Sequence, residues 1–273
     1  MKTISLLIPS IGHPTRPSLV GTIRDNGERT VKIIGVDMDS TGIGPHIADE
    51  FFKVPPRTDP SYIDHILQIC KDAHVDVYYA LGEEESIAAG ERALEFEAAE
   101  ISVIKPGTPE MLRIATNKAS YHHYLRSCGI PHARFQVIKS LEEIGPAATA
   151  LGYPEEDIFI KPAVSKGGRG ARLVTSRSLA NSFFGSRSTD IPEQPLEVVV
   201  DILSSLNEGT FPELIAMEYL PGAYYSVDVL SHAGDPYYII PKIRIRGTAS
   251  NTTVGEEDLN SDVVAFILPA IFS

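Results

Sequence analysis

The chain has no tryptophan, 4 methionines and 2 cysteines in 273 residues. Cys70 and Cys128 stand far apart and form no CxxC pair, so a disulfide framework is excluded; buried thiols in a reducing cytosol are the plain reading for both. No window approaches eighteen consecutive apolar residues, which excludes a membrane-spanning helix. The opening MKTISLLIPS holds only a short apolar run broken by Pro9, the pattern of a strand and not of a signal peptide. Positive charge is also short: 24 Lys and Arg against 36 Asp and Glu give a net charge of −12. Such a surface argues against nonspecific nucleic-acid binding and against docking on anionic membranes, and it requires any bound phosphate to meet local cations. Internal repeats and GxSxG nucleophile patterns are missing too.

What is present is a chain able to bury a sizeable core, with 43% hydrophobic residues and a mean hydropathy of −0.02. Its length predicts two domains, or one with a subdomain. Short β-rich runs at Ile4–Ile8, Val31–Val36, Phe51–Val54, Val75–Ala80 and Ile101–Ile104 alternate with helical patterns at 16–26, Tyr62–Ala73 and Glu83–Glu97. That alternation predicts a parallel sheet. The first strand is not followed by GxGxxG, so a dinucleotide-binding reading, and with it a nicotinamide oxidoreductase, is weak.

Pro106, Gly107 and Pro109 mark a junction. Beyond them a helix is expected over Glu110–Cys128, stopped by Gly129-Ile130-Pro131. Strands are expected at Phe135–Ile138, Ile158–Lys161, Ala171–Thr175, Leu214–Glu218, Tyr225–Leu230 and Tyr237–Ile245, with a polar, mobile loop over 176–195. Few helices and a turn at His232–Pro236 favour antiparallel pairing. The expected fold is therefore α/β: a Rossmann-like unit over 1–106, followed by an α+β domain over 107–273.

The stretch FIKPAVSKGGRGARLV, from Phe159 to Val174, carries the chemistry. Lys161 ends an apolar strand, and Pro162 fixes the backbone just after it. The turn Ser165-Lys166-Gly167-Gly168-Arg169-Gly170 adds backbone N–H groups, left-handed freedom at its glycines and two more cations, a combination suited to a polyphosphate. The strand that follows at once makes this a strand-loop-strand flap, which excludes a P-loop with its GxxxxGK[ST] opening a helix. A plain hairpin with solvated cations at its tip is the alternative.

Three stretches in register resemble the ATP-grasp superfamily, most closely its carbamoyl-phosphate-synthase-like carboxylate-amine ligases. TNKASYHHYLRSCGIPHARF is similar to the family's helix with an N-terminal cation, and Lys118 falls on the nucleotide-contacting lysine. In FIKPAVSKGGRGARLV, Lys161 matches the phosphate-binding lysine and Ser165 to Gly170 the flexible loop over the β- and γ-phosphates. AMEYLPGAYYSVDVL is similar to the hinge strand, where Glu218, Tyr219 and Leu220 would meet the adenine edge and Gly222 would start the next strand. IIGVDMDSTGIGPHIADEFFKVP resembles the pre-ATP-grasp domain, and the likeness covers most of residues 1–250. It implies a pre-ATP-grasp domain followed by an ATP-grasp domain, ATP and Mg²⁺ as cofactors, and small-molecule carboxylate and amine substrates. It also implies a phosphoryl-neutralising role for Lys242, Arg244 and Arg246, which period-two spacing places on one strand face.

The sequence departs from the family pattern at Tyr224, where a ribose-binding Glu is common, and at Met217, where an acid is frequent. The family's metal-holding Glu and Asn-x-Arg pattern is not found after PKIRIRG, so the ATP-grasp domain reads as incomplete at its C-terminal part. Glu256, Glu257, Asp258 and Asp262 are read there as a solvated loop, and no metal ligand is assigned. The expectation is either a nucleotide-binding chain of poor turnover, acting as subunit or regulator, or a site completed by a homo-oligomer or another chain. His122 and His123 are read as surface histidines. Glu84 and Glu85 sit where a ligand or a partner domain would be met, and equally where a helix dipole favours acids.

Overall fold

The computed structural model describes residues 3–178, 191–206, 209–232, 234–247, 252–259 and 262–265. The chain divides into two compact units, Met1–Arg113 and Ile114–Ser273.

The first unit alternates strand and helix: β1 (Ile4–Pro9), α1 (Arg16–Arg24), β2 (Val31–Asp37), α2 (Gly44–Ile47), β3 (Glu50–Lys53), α3 (Tyr62–Asp72), β4 (Val77–Tyr79), α4 (Glu83–Glu91), α5 (Ala93–Ala98) and β5 (Ser102–Ile104). The five strands form one sheet in the order β3-β2-β1-β4-β5, and every pairing is parallel. The central strands are apolar on both faces, as ISLLIP and VKIIGVD require of strands covered by helices on either side. Leu7, Ile34, Val36, Ile66, Tyr78 and Phe96 fill one core cluster, and Ile8, Ile11 and Ile33 fill a second one. Each such side chain contributes about 1.5–3 kcal/mol of transfer free energy. The helix read over Glu83–Glu97 is two helices, because Arg92, at φ −103 and ψ 19, leaves the helical region.

α6 (Pro109–Thr116) and α7 (Lys118–Ser127) replace the single helix expected over Glu110–Cys128. Asn117 causes the break. Its backbone is extended, at φ −102 and ψ 110, and its side-chain oxygen accepts from the Ser120 amide, so it ends one helix and caps the next. Cys128 lies at the exposed end of α7 and corrects the expectation of a buried thiol, whereas Cys70 is buried, which pushes its thiol up to about 12.

The second unit contains two sheets. β6 (Phe135–Ile138), β7 (Ile158–Pro162), β8 (Arg172–Val174), β9 (Glu193–Gln194) and β10 (Leu214–Glu218) make a sheet ordered β6-β10-β7-β8-β9. Its pairings are antiparallel except β8 with β9. Helices α8 (Ile144–Ala150) and α9 (Leu196–Ser204), not expected from the sequence, pack Ile144, Ala148 and Val199 against Ile138, Ile158, Ile160 and Leu214. The second sheet is an antiparallel meander of β11 (Tyr225–His232), β12 (Asp235–Gly247) and β13 (Thr252–Glu257). β13 corrects the expected solvated loop: Glu256 and Glu257 lie on a strand, opposite Ile243 and Lys242. Of the loop expected over 176–195, residues 179–190 lie outside the described residues, and its end is strand β9.

Candidate functional site

β7 and β8 pair antiparallel, Ile158 with Val174 and Ile160 with Arg172, so the glycine-rich stretch is the strand-loop-strand flap that its sequence predicts. Gly167, Gly168 and Gly170 have φ of 64, 71 and 77, a region that glycine enters at no steric cost. At Gly170 a Cβ would lie 2.8 Å from the Pro162 Cγ, so this position needs glycine for space as well as for conformation. The Arg169 amide and Nε both donate to the Lys166 carbonyl, and the Ala171 amide donates to that of Gly168, folding the loop on itself. Lys166, Gly167, Gly168 and Arg169 are exposed.

Lys118 joins this loop from α7. Its ammonium donates to the Ser165 carbonyl at 2.8 Å and approaches the Ser165 hydroxyl at 3.2 Å, while its backbone amide donates to Ala163 at 2.8 Å. Lys161, on β7 opposite Ile215, is partly buried. Burial lowers its pKa, and the nearby Lys118 charge lowers it further. The Lys118 and Lys161 ammoniums are near enough for one charge to act on the other, beside a loop whose glycines hold left-handed backbone.

His122 is not the surface residue its sequence neighbourhood suggested. Its ring is half-buried, 5.2 Å between centroids from Phe135 and 6.2 Å from His132. Its Nδ1 is buried without a hydrogen-bond partner. Burial pushes it down to about 4, and the Lys161 charge pushes the same way, so it is neutral at pH 7. His123 is exposed, as expected. The i, i+4 step from His122 to Arg126 on α7, both against Phe135, was the signal available in the sequence.

The residues read as the hinge begin at Glu218, the last of β10. Glu218 accepts from the Arg134 amide at 2.7 Å and from its guanidinium at 2.5 Å; the backbone bond is the larger cause holding its carboxyl below the usual range. The Tyr219 amide donates to the Asp157 carbonyl and its ring packs 5.6 Å from Phe159. Leu220 is exposed, and Gly222 turns the chain at φ 135 before β11.

Lys242, Arg244 and Arg246 lie on β12, but the register shifts between Arg244 and Arg246, so strict alternation does not run through all three. Lys242 pairs with Asp228, and the Arg244 guanidinium stands 4.0 Å over the Tyr224 ring, the position read as the missing ribose acid. Tyr225 donates to Asp258 at 2.6 Å. Among the described residues no three His, Cys, Asp or Glu side chains converge as a metal site.

Solved structures share this fold. The structure superimposes on an ADP complex of N5-carboxyaminoimidazole ribonucleotide synthetase with a TM-score of 0.62 and 16% identity, over 98% of this chain and 62% of that one. The fold is ATP-grasp. The biotin carboxylase domain of Hydrogenobacter thermophilus 2-oxoglutarate carboxylase, solved with MgADP and bicarbonate, gives a TM-score of 0.64 at 15% identity, over 98% of this chain and 58% of that one. The ATP-grasp resemblance read from the sequence is thus met in the fold. Residues 6–104 match the model of the PylC-like N-terminal domain. Over 230 residues the chain is 26% identical to the carbamoyl phosphate synthase large chain of Rubrobacter xylanophilus, 79% of this chain and 20% of that one. The chain spans about three fifths of these solved structures and a fifth of that curated relative. No described helix is long and apolar enough to cross a membrane.

Proposed function

We propose that the chain binds ATP at the β7–β8 loop and serves an ATP-dependent carboxylate-amine ligase. The observation that carries this reading is the meeting of Lys118 and Lys161 at a loop whose glycines hold left-handed backbone. In this reading Lys118 and Lys161 hold the α- and β-phosphates, and Ser165, Lys166, Gly167, Gly168, Arg169 and Gly170 cover the terminal phosphate and exclude water. Glu218, Tyr219 and Leu220 border the adenine, with Glu218 serving through its backbone because Arg134 holds its carboxylate. Lys242, Arg244 and Arg246 offset developing negative charge on the transferred group. ATP, when bound, supplies the phosphoryl group that activates a small carboxylate for attack by an amine; the protein supplies position and charge. The ordinary setting is the cytoplasm, in keeping with two unpaired cysteines.

Calorimetric titration with MgADP, of this chain and of Lys161→Ala, tests the reading. The substitution is expected to weaken binding about 10–100-fold, the worth of one charge-assisted contact. Equal binding by both proteins, or none by either, overturns it. A second reading, a nucleotide-binding subunit or regulator of little turnover completed by a further chain, draws on the engagement of Asp258 by Tyr225 and of Asp228 by Lys242. Phosphate release with a panel of carboxylates and amines decides against it; tight nucleotide binding without release decides for it.

A further inference from the structure

The carboxyl edge of the first unit's sheet carries charged groups that the nucleotide site does not use. In open parallel sheets ligands bind outside the carboxyl ends of the strands. Beyond the ends of the adjacent strands β1, β2 and β3 a cleft of about 280 Å³ is lined by Ser10, Gly12 and His13 after β1, Asp37 and Asp39 after β2, and Arg57 and Tyr62 after β3. The volume suits a molecule of several heavy atoms.

Both charge signs are fixed in this wall. Asp37 accepts from the Gly12 amide at 2.9 Å and from the Asp39 amide at 3.0 Å. Asp39 accepts from the Thr41 amide at 2.8 Å and from its hydroxyl at 2.7 Å. The Thr41 hydroxyl and amide hold the Asp39 carboxyl below the usual carboxylate range, and both carboxylates have lone pairs left over. Arg57 is braced from behind: its Nη1 lies 3.9 Å from the Glu85 carboxylate, itself 1% exposed. Glu85 in turn accepts from the Tyr62 hydroxyl at 2.5 Å and the Gly82 amide at 2.8 Å. Glu85 thus belongs to the interior of its own unit and does not await a partner domain. At that separation, and with its side chain 43% exposed, the Arg57 guanidinium keeps donors for a ligand.

We propose that this cleft binds a small zwitterion, an ammonium and an oxyanion joined by a short carbon chain, with the ammonium at Asp37 and Asp39 and the carboxylate or phosphate at Arg57. Its service as the amine substrate rests on the ligase reading; the binding itself does not. The test is a titration of the full chain without nucleotide, followed by amide NMR shifts. Probes are the twenty common L-amino acids, their methyl esters, O-phosphoethanolamine, acetate, methylamine and inorganic phosphate. At least one zwitterion is expected to saturate and to move the amides of Gly12, Asp39 and Arg57, its ester binding at least tenfold more weakly. Arg57→Gln and Asp39→Asn, checked for an unchanged melting temperature, are each expected to weaken it about tenfold. An amino acid at the site assigns a carboxylate ligand, and O-phosphoethanolamine alone assigns a phosphate one. Binding by no zwitterion, equal binding of the esters, or inorganic phosphate as the sole ligand overturns the proposal. Nucleotide binding lost through Lys161→Ala leaves this outcome untouched, so the two readings fail separately.

Discussion

The two sheets of the second unit place cations by different means. In the sheet that carries the glycine loop, Ile158 and Ile160 alternate into a core with Ile138, Ile144 and Val174, and Lys161 follows on the opposite side of the same strand. The lysine is aimed by packing. In the meander β11-β12-β13, Tyr237, Tyr238 and Ile245 are more than half exposed, and Lys242 and Arg244 are held by Asp228 and the Tyr224 ring. Those cations are aimed by pairwise contacts, which are worth much less than a core.

The sharpest break of this contrast is Ile158→Ala against Tyr238→Ser. The first is expected to cost about 3–4 kcal/mol in urea unfolding, from lost transfer energy and a residual cavity. The second should stay within about 0.5 kcal/mol; similar losses would mean that both sheets rest on packed cores. Gly170→Ala comes next. At φ 77, with Pro162 2.8 Å from the new methyl, it is expected to cost about 1–3 kcal/mol and to weaken MgADP binding, read by melting temperature and calorimetry.

The pH dependence of the packed sheet sharpens the comparison. His122 is held at about 4 in the folded chain, below its ordinary value near 6.5. The unfolded chain therefore takes the proton first, so stability is full above about pH 6.5 and falls as the pH drops towards 4. Allowing for its partial exposure, about 1–2 kcal/mol should be lost across that window and be absent in His122→Gln. The smallest effect belongs to the meander: Asp228→Asn should change stability by less than about 1 kcal/mol, an effect that salt erases.

The legibility of the sequence follows the same division. Period-two and apolar runs betray buried strands, so β1, β2, β6, β7 and β10 are visible in ISLLIP, VKIIGV, FQVI, IFIK and LIAME. The glycine loop is visible because its residue types are demanded by local backbone geometry. The break at Asn117 was hidden, since an Asn inside a helical pattern gives no warning that its side chain will cap the next helix. Strand β13 was hidden because Val254, Gly255, Glu256 and Glu257 are all exposed and impose no apolar pattern, and the strand is ordered by its pairing with β12. His122 was misjudged because its burial depends on Phe135 and His132, which come from outside its own helix.

Lys118 gives its ammonium to Ser165, within the loop it would help to close. The two therefore form one mechanical element with two anchors, one at the head of α7 and one past the end of β7. Under the nucleotide reading proposed above, a ligand that drew the ammonium away would break its bond to the Ser165 carbonyl, and by reciprocity a change at Ser165 would alter the ammonium's hold on that ligand. On that reading, a fluorophore on the loop would report what the lysine holds.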